Sequence, residues 1–257
     1  MAIIDRREFV RLTAVAGAAL LTGCATRRCP QTASDAIAAP VFEWTPAERE
    51  LLAAPGDAFP VVVRGAPDAD VLRARARPVP PGLDLTDVER RMKAAMDLAG
   101  GVGIAGPQVG LSLRVAVLKL DYKTDDPRIA FVRNPVIIER SDDMIDGYEG
   151  CLSVPDVGGQ VRRNRWIRVE HQAVNGEVLT EDAEGYNAVL WQHELDHLDG
   201  VLYLDKLLGD LMPMEEVRRL REELERVGSG DAAEPPGDQS RRFEDHLEGA
   251  SFLIERA

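Results

Sequence analysis

The sequence predicts an α+β domain, and three observations carry that expectation. Apolar, β-branched runs at residues 115–120, 136–138 and 166–174 read as strands. Asn175-Gly176 joins the last of these to a returning strand at 178–180, a strong hairpin signal. A buried helix then spans about residues 186–198, and strands followed by a late buried helix suggest α+β layering around one core.

From the start of the chain, Arg6-Arg7 opens a basic segment and residues 12–21 carry no charge. About ten apolar residues are too few to span a bilayer and suit the core of a signal peptide. Leu21-Thr22-Gly23-Cys24 resembles a lipoprotein signal with the lipid on the Cys24 sulfur, and the twin arginine resembles the signal that exports folded proteins. The expectation is a signal peptide over 1–24 and an exported lipoprotein anchored on the periplasmic side; an uncleaved leader on a cytoplasmic protein is the alternative. Residues 25–58, rich in Ala, Pro, Thr and Ser, read as a tether, with the catalytic domain expected over 59–227. Cys29, in the tether, reads as an inert thiol.

Within the domain, Thr86-Asp87-Val88-Glu89 has the capping-box pattern. Val88, Met92, Ala95, Met96 and Ala99 follow at helical spacing until Gly100-Gly101 stops the helix. Val115–Leu120 and 136–138 read as buried strands. Gly200 closes the 186–198 helix, and Pro213 opens another with Val217, Leu220, Leu224 and Val227 on one stripe. Beyond Gly228 the chain turns acidic and rich in Gly and Pro, which reads as a disordered tail. No internal repeat is visible.

The 257 residues carry 31 Lys and Arg against 44 Asp and Glu, a net charge of -13, which argues against a nucleic-acid surface built on clustered cations. Three cysteines, Cys24, Cys29 and Cys151, make no disulfide framework.

The chemistry concentrates in His193-Glu194-Leu195-Asp196-His197. Two histidines four residues apart share one helical face, so both imidazoles can reach one metal ion. Glu194 lies to the side, where it can touch a metal-activated water without ligating and so serve as general base and then acid. Tyr186, Val189 and Leu190 extend the same face as an apolar wall, which is equally a core surface. A catalytic site needs a third ligand. Downstream, His246 falls in the tail, and Asp205 and Glu215 lack a convincing frame. Upstream, Cys151 is the only cysteine of the expected domain. A lone cysteine is ordinarily a small buried hydrophobe, but beside this helix a thiolate ligand for Fe(II) or Zn is the stronger reading.

Three blocks now stand in order: Gly101-Val102-Gly103-Ile104-Ala105-Gly106-Pro107-Gln108, then Glu149-Gly150-Cys151-Leu152-Ser153, then Gln192 through Leu198. They resemble the G-x-G-x-A-A-x-Q, E-G-C-L-S and Q-H-E-x-D-H blocks of peptide deformylases, and the resemblance covers about residues 59–210. It implies antiparallel sheets packed around a central metal-binding helix. Cys151, His193 and His197 would bind one divalent ion, Fe(II) first, with Zn(II) or Ni(II) also able to occupy the site. It further implies removal of the formyl group from N-formylmethionyl peptides: metal-bound hydroxide attacks the formyl carbon while Glu194 takes and returns the proton. Gln108 and the backbone N–H of Leu152 would hold the developing oxyanion. Val102, Tyr186, Val189 and Leu190 would line a pocket for the methionine side chain, and a peptide strand would dock along Gly103. Arg163 would pair with Asp196. The partners implied are a formylated peptide, no nucleic acid, and a membrane through lipidated Cys24, with the chain a monomer.

Three features depart from the family pattern. Gly106 stands where alanine is usual, which would loosen the backbone that aims Gln108. Asp156-Val157-Gly158-Gly159 lacks the basic residue often found after the middle block. An exported enzyme would not meet nascent chains at the ribosome. A metal amidase acting on other N-acyl peptides, and a noncatalytic lipoprotein that keeps the fold, therefore stand as alternatives.

Overall fold

Thr45-Pro46-Ala47-Glu48 builds a helix start in the stretch whose composition suggested a tether. The Glu48 amide donates to Thr45 Oγ1 at 3.2 Å and the Thr45 amide donates back to Glu48 Oε2 at 2.9 Å, a reciprocal cap with Pro46 in the first turn. The computed structural model describes residues 42–173 and 175–228, so the expected signal peptide, Cys24, Cys29, the tether up to residue 41, and the tail with His246 lie outside the described residues. From this cap runs α1 (Pro46–Ala53). Glu48 is buried and also binds Arg77 Nη2, at 2.5 and 2.6 Å, and the Ser112 amide at 3.0 Å. Phe42, Trp44, Leu51 and Leu52 pack on the core. Residues 42–58 are therefore an ordered flank of the domain, not tether: a satisfied buried carboxylate and four apolar contacts outweigh composition.

The next helix, α2 (Thr86–Ala99), buries Val88, Met92, Ala95 and Met96 as its spacing predicts and ends at Gly100, whose φ of 68° is left-handed. Its cap differs from the expected one. Asp84 Oδ1 accepts from both the amide (2.9 Å) and the hydroxyl (2.7 Å) of Thr86, so Thr86 lies inside the first turn.

Among the described residues eight strands follow: β1 (Gly103–Ala105), β2 (Val115–Leu120), β3 (Arg128–Arg140), β4 (Met144–Cys151), β5 (Val154–Asn164), β6 (Trp166–Gln172), β7 (Val178–Glu184) and β8 (Met212–Pro213). They form a five-stranded sheet ordered β1-β2-β3-β6-β7 and a three-stranded sheet ordered β4-β5-β8, with every pairing antiparallel. β1 is thus an edge strand. The expected buried strand at 136–138 is the outer half of β3, and only Ile137 packs inward; Val136 and Ile138 are 52% and 53% exposed. The alternation of a one-sided antiparallel strand, not a continuous apolar run, governs there.

The expected late helix is α3 (Gly185–Leu198), buried at every residue except Asn187 and Asp196. It lies against β1, β2 and β7 of the large sheet and β5 of the small one, which is the α+β arrangement of antiparallel sheets around a central helix. The last helix, α4 (Met214–Gly228), starts one residue after Pro213, which itself pairs with Val157 in β8. Val217 is its deepest apolar residue, and Leu224 packs at the margin of the main core.

Candidate metal centre

Four-residue spacing on α3 brings the Nε2 atoms of His193 and His197 to 3.2 Å of each other. Cys151 ends β4, where the register with β5 slips after Gly150 and Leu152-Ser153 turns the chain. The slip delivers Cys151 Sγ to 3.3 Å from His197 Nε2. One ligand atom from each of the three lies within 4.8 Å of the others, and all three side chains are buried. The donor set fits a divalent ion: one thiolate and two imidazoles suit Fe(II) or Zn(II).

The imidazole orientation is set from behind. Glu149 Oε2 lies 2.8 Å from His193 Nδ1, which leaves Nε2 to face the other two ligands. Arg163 grips the same carboxylate with two parallel bonds, Nε at 2.6 Å and Nη2 at 2.7 Å, and reaches Asp196 with Nη1 at 2.5 Å. Lys206 Nζ completes the chain at 2.7 Å from Asp196. Burial alone would raise the Glu149 pKa, but Arg163 and His193 hold its carboxyl well below the usual carboxylate range. Tyr203 stacks over the His193 ring at 6.4 Å between centroids and donates its hydroxyl to Val157 O at 3.1 Å. The Asp196–Arg163 pair was expected from sequence; Glu149 and Tyr203 were not. Strand alternation could have found Glu149, since residues two apart in β4 share the face that presents Cys151.

Gln108 sits in the 3-10 turn Gly106–Val109, fully buried. Its Oε1 accepts from the Ala105 amide at 2.8 Å, which points Nε2 at Cys151 Sγ, 3.5 Å away. Gly106 does not loosen this turn. A Cβ there would lie 2.6 Å from Leu113 O and 2.9 Å from Leu111 O, so the close packing that excludes alanine also fixes Gln108. Glu194 is fully buried and lies against the edge strand: a Cβ on Gly103 would fall 2.1 Å from Glu194 Oε1. Leu152 follows Cys151 in the turn, with its side chain buried in the α2 core. Val102, Tyr186, Val189 and Leu190 gather in one buried cluster, and Leu190 also abuts Gly103. Cys151, His193, His197 and Gln108 thus come together, and Glu194 and Leu190 meet at Gly103, while Val102, Tyr186 and Val189 are members of the main core.

Residues 60–210 match the family model described as polypeptide deformylase. The chain belongs to the peptide deformylase family. Peptide deformylases are metal-dependent enzymes that remove the formyl group of N-formylmethionyl peptides, and the Cys151, His193 and His197 cluster is able to bind that metal. The peptide deformylase of Thermus thermophilus is 39% identical over 163 residues, 58% of this chain and 82% of its own. Peptide deformylase 1 of Bacillus cereus is 43% identical over 123 residues, 48% of this chain and 76% of its own. Among solved structures, the Thermotoga maritima peptide deformylase aligns with a TM-score of 0.55 at 37% identity, covering 60% of this chain and 100% of its own. A class I type b peptide deformylase from Acinetobacter baumannii bound to Met-Ala-Ser aligns at 0.53 with 36% identity, covering 58% and 98%. Both α1 and α4 lie outside the span of the deformylase family model.

Proposed function

We propose that this chain hydrolyses the formyl amide of N-formylmethionyl peptides with Glu194 as the proton carrier. The observation that carries the reading is the position of Glu194, sealed between the ligand helix and the edge strand at Gly103. Cys151, His193 and His197 would hold one divalent ion, Fe(II) first and Zn(II) or Ni(II) as alternatives, which would supply Lewis acidity and lower the pKa of water toward about 7. Glu194 accepts the proton of the attacking water and returns it to the amine nitrogen as the formyl C–N bond breaks, releasing formate and a free N-terminus. The Gln108 amide and the Leu152 backbone N–H donate to the oxygen that gains charge. The free edge of β1 at Gly103 takes the peptide as an added strand. Val102, Tyr186, Val189 and Leu190 receive the methionine side chain, a reading supported by the relative that holds Met-Ala-Ser. The family match favours formyl over bulkier acyl groups. A panel of formyl-Met and acetyl-Met peptides tests this: formate release with little acetate is expected, and a preference for acetyl peptides would end the reading.

The place of action belongs to the same proposal. The twin arginine, the uncharged stretch and Leu21-Thr22-Gly23-Cys24 support export and lipid attachment at Cys24. Mass spectrometry of the protein from native membranes should find a lipid-bearing N-terminal Cys24; an intact Met1 without lipid would move the enzyme to the cytoplasm.

A further inference from the structure

A different face of α3 borders a cleft that shares only Asp196 and Lys206 with the support of the metal centre. Its cavity of about 260 Å³ is lined by the cations Arg75, Arg114, Arg140 and Lys206 and the carboxylates Asp196 and Asp199. Four cations face two carboxylates, on a chain whose net charge is -13. Both carboxylates are already shared. Asp199 takes Arg114 at 2.7 Å and Arg75 at 3.5 Å, while Asp196 takes Lys206 at 2.7 Å and Arg163 at 2.5 Å.

Two guanidiniums are left with spare donors. Arg75 is 81% exposed, and its ion pair to Asp199 is long. Arg140 makes one side-chain bond among the described residues, to the Asn164 amide oxygen at 3.5 Å. A third guanidinium of the lining is fixed. Arg114 is only 13% exposed and donates to the carbonyls of Leu198 and Pro135 at 3.2 and 3.3 Å, so it cannot turn away to solvent.

We propose that this cleft binds a phosphate group. Planar guanidinium forks match the paired oxygens of a tetrahedral oxyanion, and the unbalanced positive charge suits a dianion. The volume admits one or two phosphates. Val136, half exposed, and Ile137 give the cleft an apolar rim, so the phosphate can be a free ion or the headgroup of a lipid. The inference is independent of the reaction proposed at the metal, because neither Arg75 nor Arg140 touches that machinery.

The test uses full-length, metal-loaded protein beside the double variant Arg75→Gln, Arg140→Gln, whose exposed positions leave the core intact. Inorganic phosphate and pyrophosphate are titrated by phosphorus NMR, and phosphatidylcholine vesicles with and without phosphatidic acid by co-sedimentation. At least about tenfold weaker binding is expected in the double variant, with formate release unchanged. Loss of free-phosphate binding assigns a soluble ligand, and loss confined to phosphatidic acid vesicles assigns a headgroup. Binding by neither probe, or equal binding by both proteins, including phosphate held at the metal, would overturn the site.

Discussion

At residue 103 the absence of a methyl group leaves the space in which Glu194 stands. A methyl there would fall 2.1 Å from Glu194 Oε1 and 2.7 Å from Leu190 Cδ1, so Gly103→Ala must displace one or both. Formate release should drop about 100-fold, the scale of a misplaced catalytic group, while bound metal measured by elemental analysis stays equimolar. Glu149→Gln should act the other way. It keeps the shape but removes the charge that orients His193, and metal affinity measured against a competing chelator should fall about 10- to 100-fold. Gly106→Ala restores the usual family residue yet pushes a methyl against two backbone carbonyls. Urea unfolding should show a loss of about 1–3 kcal/mol, and an unchanged midpoint would mean that the turn yields freely.

Among the elements, the β6–β7 hairpin carries a titratable tie to β3. Glu181 lies 3.2 Å from His171 Nε2 and binds Arg128 at 2.6 and 3.1 Å. The His171 hydrogen bond, opposed by burial and joined by Arg128, lowers its pKa to about 2 from 4.5. A depressed carboxylate stabilises the fold above its unfolded pKa, and that contribution disappears as pH falls from about 4.5 toward about 2. Glu181→Gln should therefore cost on the order of 1 kcal/mol at pH 7, and the gap to the unaltered protein should shrink below pH 4.5 in urea titrations. Elements with regular periodicity were legible: α2 through Val88, Met92 and Ala95, the hairpin through Asn175-Gly176, and α3 through its two histidines. Less legible were features decided by partners distant in sequence. The Thr45-x-x-Glu48 cap could have announced α1, but the Ala and Pro around it masked a helix whose stability comes from Arg77 and Ser112. Thr86 does not cap α2, because its amide and hydroxyl both donate to Asp84 just upstream and Leu85 takes the cap position. In β3, Val136 and Ile138 look like core, yet the large sheet leaves that face open.

For the whole molecule, the site was readable because its chemistry needs side chains few other structures combine. Cys151 and the two histidines were identifiable before their meeting was visible. Beyond the Asp196–Arg163 pair, what the sequence did not reveal was the support behind them: Glu149 and Lys206 join that pair into one chain of charge only after folding. Nor did it mark the cleft beside Arg75 and Arg140, whose cations are scattered along the sequence. The central claim is that this assembly deformylates peptides through Glu194. The most direct measurement is formate release from a formyl-Met peptide by anaerobically Fe(II)-loaded protein beside Glu194→Gln with equal metal content. Release by the first and a fall of at least about 100-fold in the second are expected. Equal release by both, or none from the metal-loaded protein, would contradict that claim.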